Sequence, residues 1–120
     1  LKYYKRNINI MASLSSLFNF KLIFSPPISL FKSENTAKEK AIITDIESKQ
    51  FYLDYIIAGK EILKEVSKDK ADIYYFDASK NFTPSIDYLI DRYHLTKKGN
   101  KKLANEIFMF IDENKILGYN

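Results

Sequence analysis

Apolar residues recur at helical spacing from residue 3 to about residue 20. Tyr4, Ile8, Met11 and Phe18 share one stripe, which Ile10, Leu14 and Leu17 widen. This spacing predicts an amphipathic helix. The pattern then changes to a short continuous apolar run, "KLIFS" at 21–25, ended by Pro26 and Pro27. Its length and bounding prolines predict a buried strand followed by an extended exit loop. "TAKE", Thr36 to Glu39, has the spacing of a capping box, with a hydroxyl at the helix entrance and a carboxylate three residues on. The helix it opens is expected to reach about Lys68. Ala41, Ile42, Ile46, Leu53, Ile56, Ile57, Leu63 and Val66 form its apolar face. Such a span is long for a globular helix, so a break near Gln50 or Gly59 is expected.

"ADIYYFDAS" at 71–79 is rich in strand-favouring residues and too short for a helix, which predicts a second strand. A loop with Asn81, Thr83 and Pro84 follows. Thr96 then caps a last helix, whose expected buried face is Leu103, Ala104, Ile107, Phe108 and Ile111, with Lys97, Lys98, Lys101 and Lys102 outside it. The order is helix, strand, helix, strand, loop, helix. Strands joined by a long helix are normally parallel neighbours, so the fold class is α/β. Two strands alone make a poor sheet. The chain therefore reads as the back half of a doubly wound domain, and starting at Leu1 instead of Met fits a piece of a longer protein. A half domain leaves apolar faces uncovered, so the isolated 120 residues are expected to aggregate or pack loosely.

Composition narrows the function classes. With 46% apolar residues, nine Phe and nine Tyr, the chain has material for a packed core and lacks the signature of disorder. Having no cysteine excludes disulfides and thiolate metal sites. A zinc hydrolase is disfavoured as well, because one histidine leaves only carboxylates as further ligands. The net charge of +4 comes from 17 Lys and only 2 Arg, which argues against nucleic-acid binding and for a solvated lysine surface. No run approaches the roughly 20 apolar residues that span a bilayer. Lys2, Lys5 and Arg6 ahead of the partly apolar 8–24 stretch imitate a signal peptide, but Asn9, Ser13, Ser15, Ser16, Asn19 and Lys21 interrupt it.

The candidate chemistry lies in "YLIDRYHLTKKGN", residues 88–100, which contains the only histidine. Asp91 stands three residues before His94. Across a turn its carboxylate can accept the Nδ1 proton, fix the tautomer, present Nε2, and stabilise the imidazolium formed in proton transfer. That is the acid–base part of a serine-hydrolase triad. The plainer alternative is a surface or helix-capping histidine. A second functional class is a non-catalytic binding or interaction module, using Lys97, Lys98, Lys101 and Lys102 on the last helix against phosphates or an acidic partner.

The run "IDRYHLTKKGNKKLANEIFMFI", 90–111, resembles the last motif of the SGNH (GDSL-type) hydrolase family, Asp-x-x-His-Leu-Thr-x-x-Gly-Asn followed by Leu-Ala. Asp91, His94, Leu95, Thr96, Gly99, Asn100, Leu103 and Ala104 all fall in register. "LIFSPP", a glutamate-bearing helix and "FDASKNF" are weaker similarities upstream. The resemblance implies the C-terminal part, over 1–120, of a single flavodoxin-like three-layer α/β/α domain with parallel strands. It further implies a serine-dependent ester hydrolase acting on a small-molecule or carbohydrate ester, without cofactor or metal. Asp91 would orient the base, and His94 would deprotonate the serine. Gly99 would let the final helix approach neighbouring backbone, or else is simply a tolerated glycine in the first helical turn. The family's Gly-Asp-Ser nucleophile and Gly-x-Asn-Asp oxyanion motif have no counterpart here, since Gly59, Gly99 and Gly118 sit in neither setting. The serine is thus expected to lie outside these residues.

Overall fold

The computed structural model describes residues 1–118, apart from the Ile46 side chain. The elements are α1 (Lys2–Phe18), β1 (Leu22–Phe24), α2 (Ala37–Ile42), a 3-10 turn (Ile46–Ser48), α3 (Lys49–Ser67), β2 (Ile73–Tyr75), a second 3-10 turn (Ala78–Lys80) and α4 (Lys97–Glu113). They divide into two compact units. One holds Leu1–Pro26 and Tyr55–Asp77; the other holds Pro27–Asp54 and the chain from Ala78 onward.

In the first unit β1 and β2 pair in parallel, with Leu22 opposite Ile73 and Phe24 opposite Tyr75. This places the protein in the general α/β class. Both strands are three residues long, shorter than the apolar runs that contain them. Leu22 N–H donates to Asp72 O at 2.8 Å, and Phe76 N–H donates to Phe24 O at 2.8 Å. Beyond Ser25 the ring of Pro26 has no N–H to offer, so the ladder ends there. The core of this unit is Ile8, Ala12, Phe24, Leu63, Val66 and Ile73, with Tyr4, Leu22, Ile62 and Tyr75 packed against it.

Helix α1 forms where expected and turns Tyr4 and Ile8 of the expected stripe inward, but the buried face continues along Ala12 and Ser15 instead of Met11 and Phe18. Its buried residues are Ile8, Ala12 and Ser15, whereas Ile10, Met11, Leu14, Leu17 and Phe18 are exposed. The apolar arc is wider than the surface available to bury it. The helix ends at Asn19 in the left-handed conformation at φ 56°, which Asn tolerates better than most side chains.

The long middle helix is interrupted at 43–48, just before Gln50, and not near Gly59. The capping box at Thr36 is complete, with Glu39 N–H donating to the Thr36 hydroxyl and Thr36 N–H donating to the Glu39 carboxylate. Yet α2 lasts only six residues. Ile43 leaves the helix in extended conformation and is buried, in a β-branched run from Ile42 to Thr44 that propagates a helix poorly. Through Gly59, α3 is continuous; an added Cβ there would stand 3.8 Å from the Tyr4 ring, ordinary packing distance.

In the second unit Ile28, Leu30, Phe31, Ile43, Ala78, Phe82, Leu89 and Ile116 are buried. Phe31 stacks on Tyr52 at a 5.0 Å centroid distance, and Phe82 meets Tyr88 at 5.0 Å. Glu39 is buried, and its oxygens accept from Lys32 Nζ (2.7 Å), Asn35 Nδ2 (3.3 Å) and Thr36 N–H (2.8 Å). Burial pushes this carboxyl up; the Lys32 ammonium, the Thr36 N–H and the Asn35 amide outweigh it and hold it below its usual value.

The expected buried face of α4 is only partly buried. Leu103, Ile107 and Ile111 are half-buried, Ala104 is exposed, and Phe108 is 69% exposed. Gly99 is the one fully buried residue of this helix. The apolar stripe of α4 therefore outruns the surface this unit supplies to cover it.

Candidate active site

The candidate residues lie on a pinched loop in the second unit. Tyr88 and Leu89 N–H groups donate to Ser85 O at 3.0 and 2.9 Å, closing one turn. Leu89 and Leu95 then form an antiparallel bridge, flanked by Ile90 N–H to His94 O and Thr96 N–H to Tyr88 O, both 2.8 Å. Within that pinch Asp91 organises the turn. Its Oδ1 accepts from the Tyr93 and His94 N–H groups, both at 2.9 Å, and its Oδ2 lies 2.7 Å from His94 Nδ1.

These are the two residues singled out by their spacing, and the fold brings them into direct contact. Donation from the Tyr93 N–H, then from the His94 N–H and then from the His94 ring stabilises the ionised form, lowering the Asp91 pKa to about 2. A carboxylate that stays ionised accepts the Nδ1 proton, which leaves Nε2 as the ring nitrogen able to take one up. The His94 side chain is 80% exposed, so that nitrogen is reachable from solvent.

Helix α4 begins directly after the loop. The Thr96 hydroxyl accepts from Gly99 N–H at 3.0 Å and donates to Asp87 O at 2.8 Å, so one side chain caps the helix and ties it to the preceding turn. Gly99 lies against the loop itself. A Cβ built on it would fall 2.2 Å from Tyr88 O, 3.1 Å from Tyr88 C and 3.1 Å from Leu95 Cδ2. Of the two roles open to this glycine, the contact favours close packing of helix on backbone.

Sequence reasoning missed Arg92. Its Nη1 forms an ion pair with Asp45, and its Cζ lies 5.4 Å from the Tyr52 ring centroid and 5.6 Å from that of Tyr93. Arg92 O also accepts from Leu30 N–H at 3.0 Å. The available signal was its rarity: it is one of two arginines, set inside the Asp-x-x-His spacing.

The lysines of the binding-module alternative are partly engaged within the unit. Lys98 lies over the Tyr88 ring at 5.1 Å, and Lys102 lies over Phe82 at 5.8 Å and 3.4 Å from Glu106. In the first unit Asp77, within the "FDASKNF" similarity, accepts from the Tyr75 hydroxyl at 3.3 Å and pairs with Lys60 at 3.4 Å. Among the described residues no group of three His, Asp or Glu side chains is placed to hold a metal, and no helix is long and apolar enough to cross a membrane. No protein-family model, curated protein or solved structure matches the chain.

Proposed function

We propose that Asp91 and His94 are the orienting acid and the general base of a serine-dependent ester hydrolase of the SGNH type. In this reading the nucleophilic serine and the oxyanion donors come from outside these 120 residues, and the complete domain is a flavodoxin-like α/β/α sandwich. The observation that carries the reading is the 2.7 Å contact of Asp91 Oδ2 with His94 Nδ1, on a carboxylate whose other oxygen is held by two backbone N–H groups. A carboxylate anchored in this way fixes the imidazole without needing to move during the reaction. The motif resemblance supplies the reaction class.

His94 Nε2 takes the serine Oγ proton as Oγ bonds to the ester carbonyl carbon and the carbonyl π pair moves onto oxygen. Asp91 stabilises the resulting imidazolium. When the carbonyl reforms, the bond to the alcohol oxygen breaks, and Nε2–H returns its proton to that oxygen, leaving an acyl-serine. Water then repeats the sequence, with Nε2 again as base, releasing the carboxylic acid and free serine. Small-molecule and carbohydrate esters are the substrate class.

The test is turnover of an aryl acetate by the product of the complete coding region. His94→Ala is expected to lower kcat by about 10⁴-fold or more, and Asp91→Ala by a comparable or somewhat smaller factor. Unchanged turnover in His94→Ala refutes the reading.

A further inference from the structure

We propose that Arg92 is a positioning residue for the Asp91–His94 pair: its guanidinium clamps the turn that carries both side chains to the loops and helix packed behind it. Asp91, Arg92, Tyr93 and His94 are consecutive, so anchoring Arg92 restricts the two peptide N–H groups that Asp91 Oδ1 must find.

The anchoring is threefold. The guanidinium is ion-paired to Asp45, in the break between α2 and α3. Its planar group faces two rings, Tyr52 at 5.4 Å and Tyr93 at 5.6 Å, and Tyr52 is itself stacked on the buried Phe31. The Arg92 carbonyl accepts from Leu30 N–H, which fixes the turn's backbone at the same residue. Side chain and main chain thus hold one position from two directions. Arginine suits this place, because a planar cation with several donors can pair with a carboxylate and lie against aromatic faces together, whereas an ammonium group offers a point charge. Since His94 is 80% exposed, packing around the imidazole itself cannot restrain it. Restraint must reach it through Asp91 and the turn.

For its catalytic consequence the proposal rests on the ester-hydrolase reading; for its geometry it does not. The experiment therefore uses two readouts on the complete coding-region product, wild type against Arg92→Ala and Arg92→Lys. The first, made without substrate, is the Asp91 carboxyl titration followed by carbon-13 NMR. A loosened turn weakens the two N–H donations to Asp91, so its pKa moves from about 2 back toward the ordinary carboxylate value in Arg92→Ala, and part of the way in Arg92→Lys. The second is aryl acetate hydrolysis, where kcat is expected to fall about 10- to 100-fold with KM nearly unchanged, as a misplaced base affects the reaction more than binding. A wild-type Asp91 titration in either folded variant overturns the clamp, as does kcat within twofold of wild type in an active enzyme. Should Arg92→Ala fail to fold, Arg92→Lys alone decides by the same readouts. A displaced Asp91 titration in a protein with no esterase activity sustains the clamp and sinks the hydrolase reading.

Discussion

Gly99→Ala adds one carbon where Tyr88 O is 2.2 Å away and Tyr88 C and Leu95 Cδ2 are each 3.1 Å away. The nearest obstacle is a backbone carbonyl, which cannot swing aside like the end of a long side chain. It also accepts the 2.8 Å hydrogen bond from Thr96 N–H that pins the end of the pinched loop. Relieving the overlap means shifting α4 or the loop by about 1 Å, a cost at the upper end of overpacking, about 3 kcal/mol. Weakening the Thr96 bond adds about 1 kcal/mol. Alanine's advantage over glycine in a helix returns about 1 kcal/mol at most. The net expectation is destabilisation by about 3 kcal/mol. Urea unfolding of the complete coding-region product, wild type against Gly99→Ala, is the assay, read as a lowered midpoint at unchanged slope. A variant within about 0.5 kcal/mol of wild type, or more stable, would refute the argument that this glycine exists for close approach, since that margin is the usual scatter of uneventful surface substitutions.

Three further outcomes follow from the same geometry. Glu39→Ala removes half of a largely buried ion pair together with a capping box, and is expected to cost about 3 kcal/mol in urea unfolding, with a value below about 1 kcal/mol contradicting the role assigned to Glu39. Because the folded Asp91 pKa of about 2 lies below its ordinary value of 3.8, its contribution to stability is complete above that ordinary value and is lost as pH falls through 2; His94→Gln should leave most of the depression in a carbon-13 titration, since the N–H donations of Tyr93 and His94 outrank the ring. Replacing the exposed Leu14 and Leu17 of α1 with Glu should reduce dye binding and self-association of the 120-residue chain, whereas a sharply unfolding wild-type monomer that binds no dye would show that this surface is innocuous.

What could be read from the sequence about the fold was whatever short-range chemistry determines. The capping box at Thr36, the Thr96 cap, the proline stop after β1 and the helical or extended character at the centre of each segment depend on neighbours a few residues apart, and these appear in the fold. Which face of a helix is buried depends on what lies opposite. The large apolar residues of α1 predicted a stripe through Met11 and Phe18, while the face actually covered uses Ala12 and Ser15. The same gap separates the five apolar residues expected to be buried on α4 from the half-buried Leu103, Ile107 and Ile111. Of the two breaks expected in the long middle helix, the one near Gln50 is present just before it, at 43–48, and the one near Gly59 is absent. Glycine at 59 signals a weak helix, but α3 runs through it, and the helical run is interrupted earlier, where Ile43 is extended and buried.

The candidate site divides along the same line. Every bond between Asp91 and the residues it orients spans two or three positions, and the bridge and hydrogen bonds that close the loop lie between residues 85 and 96. Such a motif builds its own geometry, so an Asp-x-x-His spacing before a capped helix was enough to anticipate the contact. Arg92 reaches residues 40 and 47 positions away, and no local rule points to Tyr52 or Asp45 as its partners. The local part determines which atoms meet; the distant part determines how firmly the pair is held relative to whatever approaches it. A base that must meet a serine hydroxyl within hydrogen-bond reach needs both. A substitution at Arg92 should therefore leave the Asp91–His94 contact possible while reducing how often it is made in the productive orientation.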